Sequence, residues 1–302
     1  MTEPLAFLNG RLLAQSQAHL TLHDAGFVFG ATVTDLCRTF RHKLYRFEPH
    51  LARFRASCRS ASIDLAFDDA TITDLAKKLI QNNAELVDAK DDLALVLFAT
   101  PGPVGFYLGE PTSPGEKPTF GMHTYPLPFT RYRPWIEHGI ALATPRVRAA
   151  PTTCVDPHIK QRSRMHWWLA ECETRRTNPG AQALLLDLAG NITETASANV
   201  VLVKNGVLVA PPLGSVLEGV SLGVVSDFAA ALGLGMERRS VTLADCYAAD
   251  EAILTCTTYC IAGVRQINHQ AIQCPGPILE RLHTAWSAEV GLDIHGQILG
   301  SP

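Results

Sequence analysis

The stretch Ile192–Gly206, which reads ITETASANVVLVKNG, indicates both how the chain folds and where its chemistry lies. It contains two predicted β-strands, of which Glu194 ends the first and Asn199 opens the second. The stretch ends at Asn205-Gly206, and an Asn-Gly pair after β-branched residues favours a tight turn because both residues accept positive φ angles. A carboxylate, Glu194, and an amide, Asn199, are therefore carried on neighbouring predicted strands.

Further polar and glycine-containing segments lie on either side of this stretch. Upstream, Lys160 ends an extended segment just before a helical run, and the other six of the seven lysines occupy turns, polar helix faces or linker-like sequence. Downstream, Glu218-Gly219-Val220-Ser221 opens a predicted helix, and the segment Asp250 to Thr258 is an apolar strand closed by a threonine pair. An amine, a carboxylate, a glycine turn before a helix and a threonine pair are the groups needed to hold pyridoxal phosphate (PLP).

The chemistry of PLP explains why these residue types matter together. The cofactor needs a lysine that holds its aldehyde as a Schiff base and later moves the α-proton of the substrate. It also needs a carboxylate near the pyridine nitrogen, because a protonated ring is the better electron sink. Its phosphate needs a cationic side chain and backbone N–H groups at the start of a helix. The sequence therefore favours an enzyme that transfers amines.

Hydrophobic periodicity predicts an α+β fold with two domains. Residues 112–117 and 126–134 are rich in proline and turn residues, which indicates a linker. We predict a mixed α/β N-terminal domain over residues 1–125 and a larger, β-rich C-terminal PLP-binding domain with surrounding helices over residues 126–302, which includes Lys160. The main predicted strands are 5–8, 11–13, 33–40, 43–47, 93–99, 140–144 and 183–187, and the main predicted helices are 50–63, 69–86, 166–176, 219–232 and 277–290.

The composition excludes several classes of function. The 302 residues carry a formal net charge of -3 without a sustained run of Lys or Arg, which argues against nucleic acid or an anionic membrane as a partner. No apolar run approaches the roughly 20 residues of a transmembrane helix, and the N-terminus lacks a secretion signal, so we expect a cytoplasmic protein with a small-molecule ligand. The eight cysteines are scattered without a C-x-x-C pair, which argues against a metal site or a disulfide framework.

From Leu22 to Ile272 the chain resembles the class IV, fold-type IV PLP-dependent aminotransferases, the group that contains branched-chain and D-amino-acid aminotransferases and aminodeoxychorismate lyase. Several short motifs carry this resemblance, and they occur in the order typical of the family. They are HDAGFVFG at 23–30, HLARFRAS at 50–57, Ile159-Lys160, GNITE at 190–194 with Asn199, LEGVS at 217–221, and Asp250-Glu251 followed by Thr255 to Thr258.

The resemblance implies roles for individual residues. Lys160 corresponds to the Schiff-base lysine, Glu194 to the partner of the pyridine nitrogen, and Arg53 to a phosphate contact. The rest of the implied cofactor-binding set is Asn199, Gly219, Val220, Ser221, Cys256 and Thr257, and the candidate substrate contacts are Thr34, Arg38 and Thr258. The resemblance further implies an amino donor and a 2-oxo acid as substrates, a ping-pong reaction, no metal, and a homodimer in which a loop of the partner contributes to the active site.

The chain departs from the family pattern around the expected substrate pocket. Met165 stands where many branched-chain enzymes have a tyrosine, and Thr34 and Asp35 replace an aromatic residue and a glutamate. Pro101 stands where D-amino-acid enzymes have an arginine. We therefore expect a roomier pocket with a weaker or relocated contact to the substrate carboxylate. Arg38 has two open interpretations, a contact to that carboxylate or a structural ion pair.

Two other functions remain open on sequence grounds. A lyase of the aminodeoxychorismate type uses the same scaffold and the same lysine to release pyruvate, so the fold does not separate it from a transaminase. A binding or regulatory protein that retains the fold without the cofactor is the alternative from another class.

Overall fold

The computed structural model describes residues 3–109 and 117–300 of the chain. The chain consists of two compact units. The first unit consists of Met1–Leu127 together with Ile159–Ser163, and the second consists of Pro128–His158 together with Arg164–Pro302.

The first unit is an antiparallel sheet with two helices packed on one face. Its strands follow the order β2-β1-β6-β5-β3-β4. Side chains alternate across the sheet, and one face contributes Leu95 and Leu97 to a core shared with Phe54 and Leu79 of the two longer helices. The elements are β1 (Leu5–Leu8), β2 (Arg11–Ala14), α1 (Ala25–Val28), β3 (Val33–Phe40), β4 (Lys43–Leu44), α2 (Phe47–Ser60), α3 (Asp69–Ala84), β5 (Leu93–Thr100) and β6 (Thr119–Pro126).

The segment around Lys160 belongs to this first unit, although the sequence places it in the second predicted domain. The Thr34 N–H donates to the Lys160 carbonyl at 2.8 Å, and the Arg162 N–H donates to the Thr32 carbonyl at 2.8 Å. Gln161 lies opposite Val33 between these two bonds. Because the segment pairs with the start of β3, long-range backbone hydrogen bonding outweighs its position in the sequence.

The second unit is built on a mixed sheet that closes on itself. The strand order is β12-β11-β10-β13-β14-β7-β8-β9, and β9 also pairs with β10, so the strands from β10 through β13, β14, β7, β8 and β9 form a ring. Its interior is apolar, with Leu184, Val200, Leu254 and Val264 all buried. The elements are α4 (Phe129–His138), β7 (Ile140–Ala143), α5 (Met165–Thr177), β8 (Gln182–Leu186), β9 (Ile192–Thr195), β10 (Asn199–Lys204), β11 (Val207–Ala210), α6 (Val220–Ala231), β12 (Met236–Arg238), α7 (Leu243–Ala248), β13 (Glu251–Cys256), β14 (Cys260–Ile267), β15 (Gln270–Ala271), α8 (Pro277–Val290) and α9 (Ile294–Leu299).

The α+β class is confirmed, and one predicted linker is in part helical. Residues 126–134 overlap α4, which begins at Phe129 and contains Pro134 in its interior. Tyr132 of this helix is buried and its ring centroid lies 5.5 Å from that of Tyr259, so aromatic packing holds a helix that its proline disfavours. Residues 112–116 of the other predicted linker lie outside the described part of the chain. Across the described ranges, none of the helices combines the length and the apolar character needed to cross a bilayer.

Candidate functional site

Lys160 is held by hydrogen bonds at both ends of its backbone. Its N–H donates to Ser57 Oγ of α2 at 3.1 Å, and its carbonyl accepts from the Thr34 N–H at 2.8 Å. Ser57 is buried, whereas the Lys160 residue is only partly covered. The amine is thus carried on a backbone that hydrogen bonds hold on both sides.

Arg53 lies on the same face of α2 as Ser57. His50, Arg53 and Ser57 follow each other at spacings of three and four residues, which places them side by side on a helix. Arg53 donates from Nε to Asp35 Oδ2 at 2.8 Å and from Nη2 to Asp35 Oδ1 at 2.9 Å, and His50 Nδ1 lies 2.7 Å from Asp35 Oδ1. This two-point pairing with Asp35 sets the orientation of the guanidinium.

The charges in this cluster follow from its burial. Burial by itself raises the pKa of the Asp35 carboxyl, but Arg53 and His50 outweigh it and hold that pKa well below its usual range. Burial lowers the pKa of His50, and the positive charges of Arg53 and Lys160 act in the same direction against the opposing effect of Asp35. Asp35 is therefore ionised and His50 neutral near neutral pH, and Arg53 carries the balancing positive charge.

Arg38 is enclosed on every side. Its side chain is 1% exposed, and its Nη2 lies 3.8 Å from Asp92 Oδ2. Its guanidinium carbon lies 3.9 Å from the ring centroid of Phe40, and its Nε donates to the Thr39 carbonyl at 3.1 Å. Of the two interpretations that the sequence leaves open for Arg38, this geometry favours the structural ion pair.

In the second unit, Asn199 connects Glu194 with the loop that precedes α6. Asn199 lies opposite Glu194 of β9 on one side and opposite Thr255 of β13 on the other. Its Nδ2 donates to Glu194 Oε2 at 3.2 Å and to the Leu217 carbonyl at 2.8 Å. The position of the Glu194 carboxylate is therefore tied to the start of α6.

The start of α6 has the features of an anion site. Gly219 is the N-cap residue and provides no side-chain cap, so the first-turn N–H groups are not satisfied by a capping side chain. A Cβ atom at Gly219 would lie 2.1 Å from Asn199 Oδ1, which explains why a glycine stands there. Ser221 is buried in the first turn. The helix packs on β13, after which Thr257 and the buried Thr258 follow, and Thr258 Oγ1 lies 3.4 Å from Cys256 Sγ.

Each unit therefore brings together part of the predicted site residues. In the first unit, Arg53 lies on α2, and the Lys160 N–H donates to Ser57 of the same helix. In the second unit, Asn199 connects Glu194 with the loop before α6, and Gly219 and Ser221 lie at the start of that helix. Sequence reasoning missed the roles of Asp35 and His50. The spacing H-x-x-R-x-x-x-S in α2 was a usable signal, because it places three polar side chains on one face of a helix that faces a core.

Comparison with known families identifies the chain. A family model described as amino-transferase class IV matches residues 32–267. The chain belongs to the class IV aminotransferases. The family uses PLP, so the recognition of the family and of its cofactor from sequence motifs is confirmed.

Individual relatives of this aminotransferase are distant in sequence. A Methanocaldococcus jannaschii protein provisionally named branched-chain-amino-acid aminotransferase is 29% identical over 268 residues, which span 88% of each chain. D-alanine aminotransferase of Bacillus licheniformis is 26% identical over 282 residues, which span 92% of this chain and 94% of the relative. Both relatives are named as transaminases, which does not favour the lyase alternative.

Solved structures confirm the fold of this aminotransferase. Branched-chain aminotransferase from Escherichia coli superposes with a TM-score of 0.81 at 22% identity, over 94% of this chain and 93% of that chain. The branched-chain enzyme of the archaeon Thermoproteus uzoniensis, solved with norvaline, gives a TM-score of 0.81 at 22% identity, over 95% of each chain. At these identities the likeness establishes the fold alone.

The residues present fit PLP. A phosphate suits the uncapped start of α6 with its nearby hydroxyl groups, and a protonated ring nitrogen suits the Glu194 carboxylate that Asn199 orients. Lys160 supplies the amine that the aldehyde requires. This chain is a PLP-dependent transaminase.

Proposed function

We propose that this transaminase attaches PLP to Lys160, places Glu194 at the pyridine nitrogen, and binds the phosphate with Arg53, Ser221, Thr257 and the N–H groups that follow Gly219. The observation that carries the proposal is the hydrogen-bonded chain from Glu194 through Asn199 to Leu217, because it ties a carboxylate to an anion-binding helix start. A single ligand with a basic ring nitrogen and a phosphate matches both ends of that chain.

The residues then divide the catalytic work. PLP, when bound, supplies an electron sink for the carbon that bears the amino group. Lys160 would hold the aldehyde of the cofactor, and its amine would accept the α-proton of the donor as a base and return it as an acid. Glu194 stabilises the positive charge on the ring nitrogen, and Asn199 keeps its carboxylate in place. Arg53, oriented by Asp35, donates a charge-assisted hydrogen bond to the phosphate.

The proposed substrates are amino acids with apolar side chains as donors and 2-oxo acids as acceptors. The names of the two relatives, branched-chain-amino-acid and D-alanine aminotransferase, support amino acids of this kind. Thr34 in place of an aromatic residue supports a roomier pocket and therefore relaxed specificity, which extends to simple amines.

We also propose that the enzyme is a cytoplasmic homodimer. In the first unit, two adjacent segments are joined by hydrogen bonds from the Ala25 N–H to the Gly102 carbonyl and from the Val104 N–H to the His23 carbonyl, both at 2.8 Å. They carry large exposed apolar side chains, of which Phe27 is 70% and Phe106 82% exposed. Apolar side chains concentrated on a surface in this way favour a protein partner, and a second copy of the chain is the proposed one.

Replacement of Lys160 tests the proposed function directly. Lys160→Ala should abolish turnover and the visible absorbance of bound PLP while the circular dichroism spectrum stays that of the wild type, because the covalent link is lost and the fold is not. Lys77→Ala, on the exposed side of α3, is the matched control and should behave as the wild type. Borohydride reduction followed by peptide mass spectrometry should locate PLP on Lys160, and a PLP adduct on another lysine would exclude this role.

A further inference from the structure

Arg162 lies two residues after Lys160 in the segment that pairs with β3. The two backbone bonds that flank Gln161 show that residues 160–162 are extended. Successive side chains of an extended segment alternate, so Lys160 and Arg162 project from the same side, about 7 Å apart along the chain. A cation is therefore placed next to the amine at which the substrate reacts.

The guanidinium of Arg162 has no carboxylate partner within residues 3–109 and 117–300. Its Nη2 makes one hydrogen bond, to Thr34 Oγ1 at 3.4 Å, which is at the long limit for such a bond. Thr34 Oγ1 donates its own proton to the Leu97 carbonyl at 2.8 Å, so it can only accept from Arg162. Arg38 and Arg55 of this unit, by contrast, pair with Asp92 and Asp69.

Arg162 is accessible to solvent, yet crowding by neighbouring atoms lowers the pKa of its guanidinium. Burial, and then the charge of Arg162, lower the pKa of His123 on β6. His123 is therefore neutral near neutral pH and does not compete with Arg162 for an anion.

We infer that Arg162 binds the carboxylate of the amino donor and of the 2-oxo acid acceptor. The inference rests on the proposed function, in which these substrates react at Lys160. A guanidinium matches a carboxylate with two parallel hydrogen bonds, and it does so most strongly where water is partly excluded. Arg162 thus provides the relocated carboxylate contact that the absence of an arginine at Pro101 leads us to expect, in place of the enclosed Arg38.

The test compares ligands with and without a carboxylate. The pyridoxamine phosphate form of the enzyme is mixed with pyruvate or with propanal, which lacks the carboxylate and is likewise achiral, and the single turnover is followed spectroscopically. Arg162→Gln should weaken the apparent affinity for pyruvate by about 10- to 100-fold and change that for propanal by less than about 3-fold, because only pyruvate loses an ion pair. Arg162→Lys should recover part of the loss, since the charge remains without the planar fork. Arg59→Gln, at an exposed position near the end of α2, is the matched control and should change neither affinity.

A binding measurement without turnover separates this inference from the proposed function. Calorimetric titration of the PLP-loaded protein with 4-methylvalerate and with the neutral 4-methylvaleramide should show a loss of affinity in Arg162→Gln for the carboxylate alone. If Arg162→Gln does not fold, Thr34→Val is the second variant, because it removes the hydroxyl that accepts from the Arg162 guanidinium. It should lower the affinity for 4-methylvalerate by about 3- to 10-fold. Equal losses for acid and amide, an unchanged affinity for the acid, or a loss of PLP affinity as large as the loss for the acid would each overturn the assignment. A wild-type enzyme that binds 4-methylvalerate but transfers no amine would refute the proposed function and leave the result for Arg162 standing.

Discussion

At the scale of single residues, Glu194 shows how a charge can be tested apart from a contact. Glutamine at this position retains an oxygen that can accept from Asn199 Nδ2, so Glu194→Gln removes the negative charge and keeps the hydrogen bond. We expect PLP to bind and kcat to fall by about 100-fold or more, the scale of electrostatic stabilisation in active sites. Glu237→Gln, at an exposed pair with Arg239, is the control and should leave kcat unchanged. An unchanged kcat in Glu194→Gln would show that another group stabilises the charge on the ring nitrogen.

For Arg38 we expect a loss of stability instead of a loss of activity, because the neighbouring Asp92 carboxylate is buried with it. Arg38→Met removes a guanidinium whose Nη2 lies 3.8 Å from Oδ2 of the Asp92 carboxylate, which is 1% exposed. The loss should lower the free energy of unfolding by about 3 kcal/mol, the low end for breaking a buried ion pair, since Thr39 Oγ1 still donates to Asp92 Oδ1 at 2.6 Å. Chemical denaturation measures this loss, and Arg59→Met is the exposed control. Normal stability combined with a raised KM for 2-oxo acids would restore Arg38 as a substrate contact.

At the scale of elements, helix α6 has one glycine at its N-cap and one inside the helix, and the two provide an internal comparison. Gly219→Ala places a Cβ atom 2.1 Å from Asn199 Oδ1, so the loop must shift and the link between Glu194 and the helix start weakens. We expect PLP affinity to fall by about 10-fold or more, measured as release of the cofactor on dilution. Gly223→Ala meets no atom within 4 Å and should stabilise the helix by about 0.5–1 kcal/mol through its higher helix propensity. Equal PLP affinities in both variants would separate the helix start from cofactor binding.

The elements also show which parts of the structure the sequence could predict. Helix α2 was predicted because its apolar and polar positions keep a helical period, and the H-x-x-R-x-x-x-S signal lies on its core-facing side. Helix α4 was missed because Pro134 and its neighbours resemble a linker locally, while the packing of Tyr132 on Tyr259 comes from residues far along the chain. The same reason applies to Arg162, whose place beside β3 depends on hydrogen bonds that no local pattern encodes.

At the scale of the whole molecule, the assignment of residues to units is also a long-range property. Motif order predicted the family, yet Lys160 lies in the first unit rather than with its neighbours in sequence, because the segment Ile159–Ser163 crosses back to the first sheet. The local pairing of Glu194 with Asn199 closes the second sheet because β9 also pairs with β8 and β10 also pairs with the distant β13. The turn motif in the sequence predicted both strands but not their closure into a ring, since each strand pattern is compatible with an open sheet.

The response of the whole molecule to acid follows from its buried histidines. Burial lowers the pKa of His50, His123 and His166, and it lowers the pKa of His295, whose Nε2 lies 3.0 Å from the Ile261 carbonyl oxygen, to about 4. A histidine with a lower pKa in the folded than in the unfolded chain binds more protons when the chain is unfolded. Its contribution to the free energy of unfolding is therefore fully present above about pH 6.5 and is lost as the pH drops towards the folded pKa. The pKa of the Asp35 carboxyl is also lowered in the folded chain, so its contribution to the free energy of unfolding is lost only at more acidic pH.

We therefore expect the free energy of unfolding to fall between pH 7 and pH 5, with about 1–2 kcal/mol of the decrease due to His295 after allowance for its partial exposure. The ring of His295 stacks on that of His283 with centroids 4.2 Å apart, so a proton on His295 meets both desolvation and a neighbouring imidazole. Urea unfolding at the two pH values measures the decrease. His295→Gln should reduce the dependence on pH, because glutamine can donate to the Ile261 carbonyl without titrating, whereas His269→Gln at an exposed turn should leave it as in the wild type. The same decrease in His295→Gln as in the wild type would show that acid acts through the other histidines, and a rise in stability towards pH 5 would contradict the sign of all four shifts.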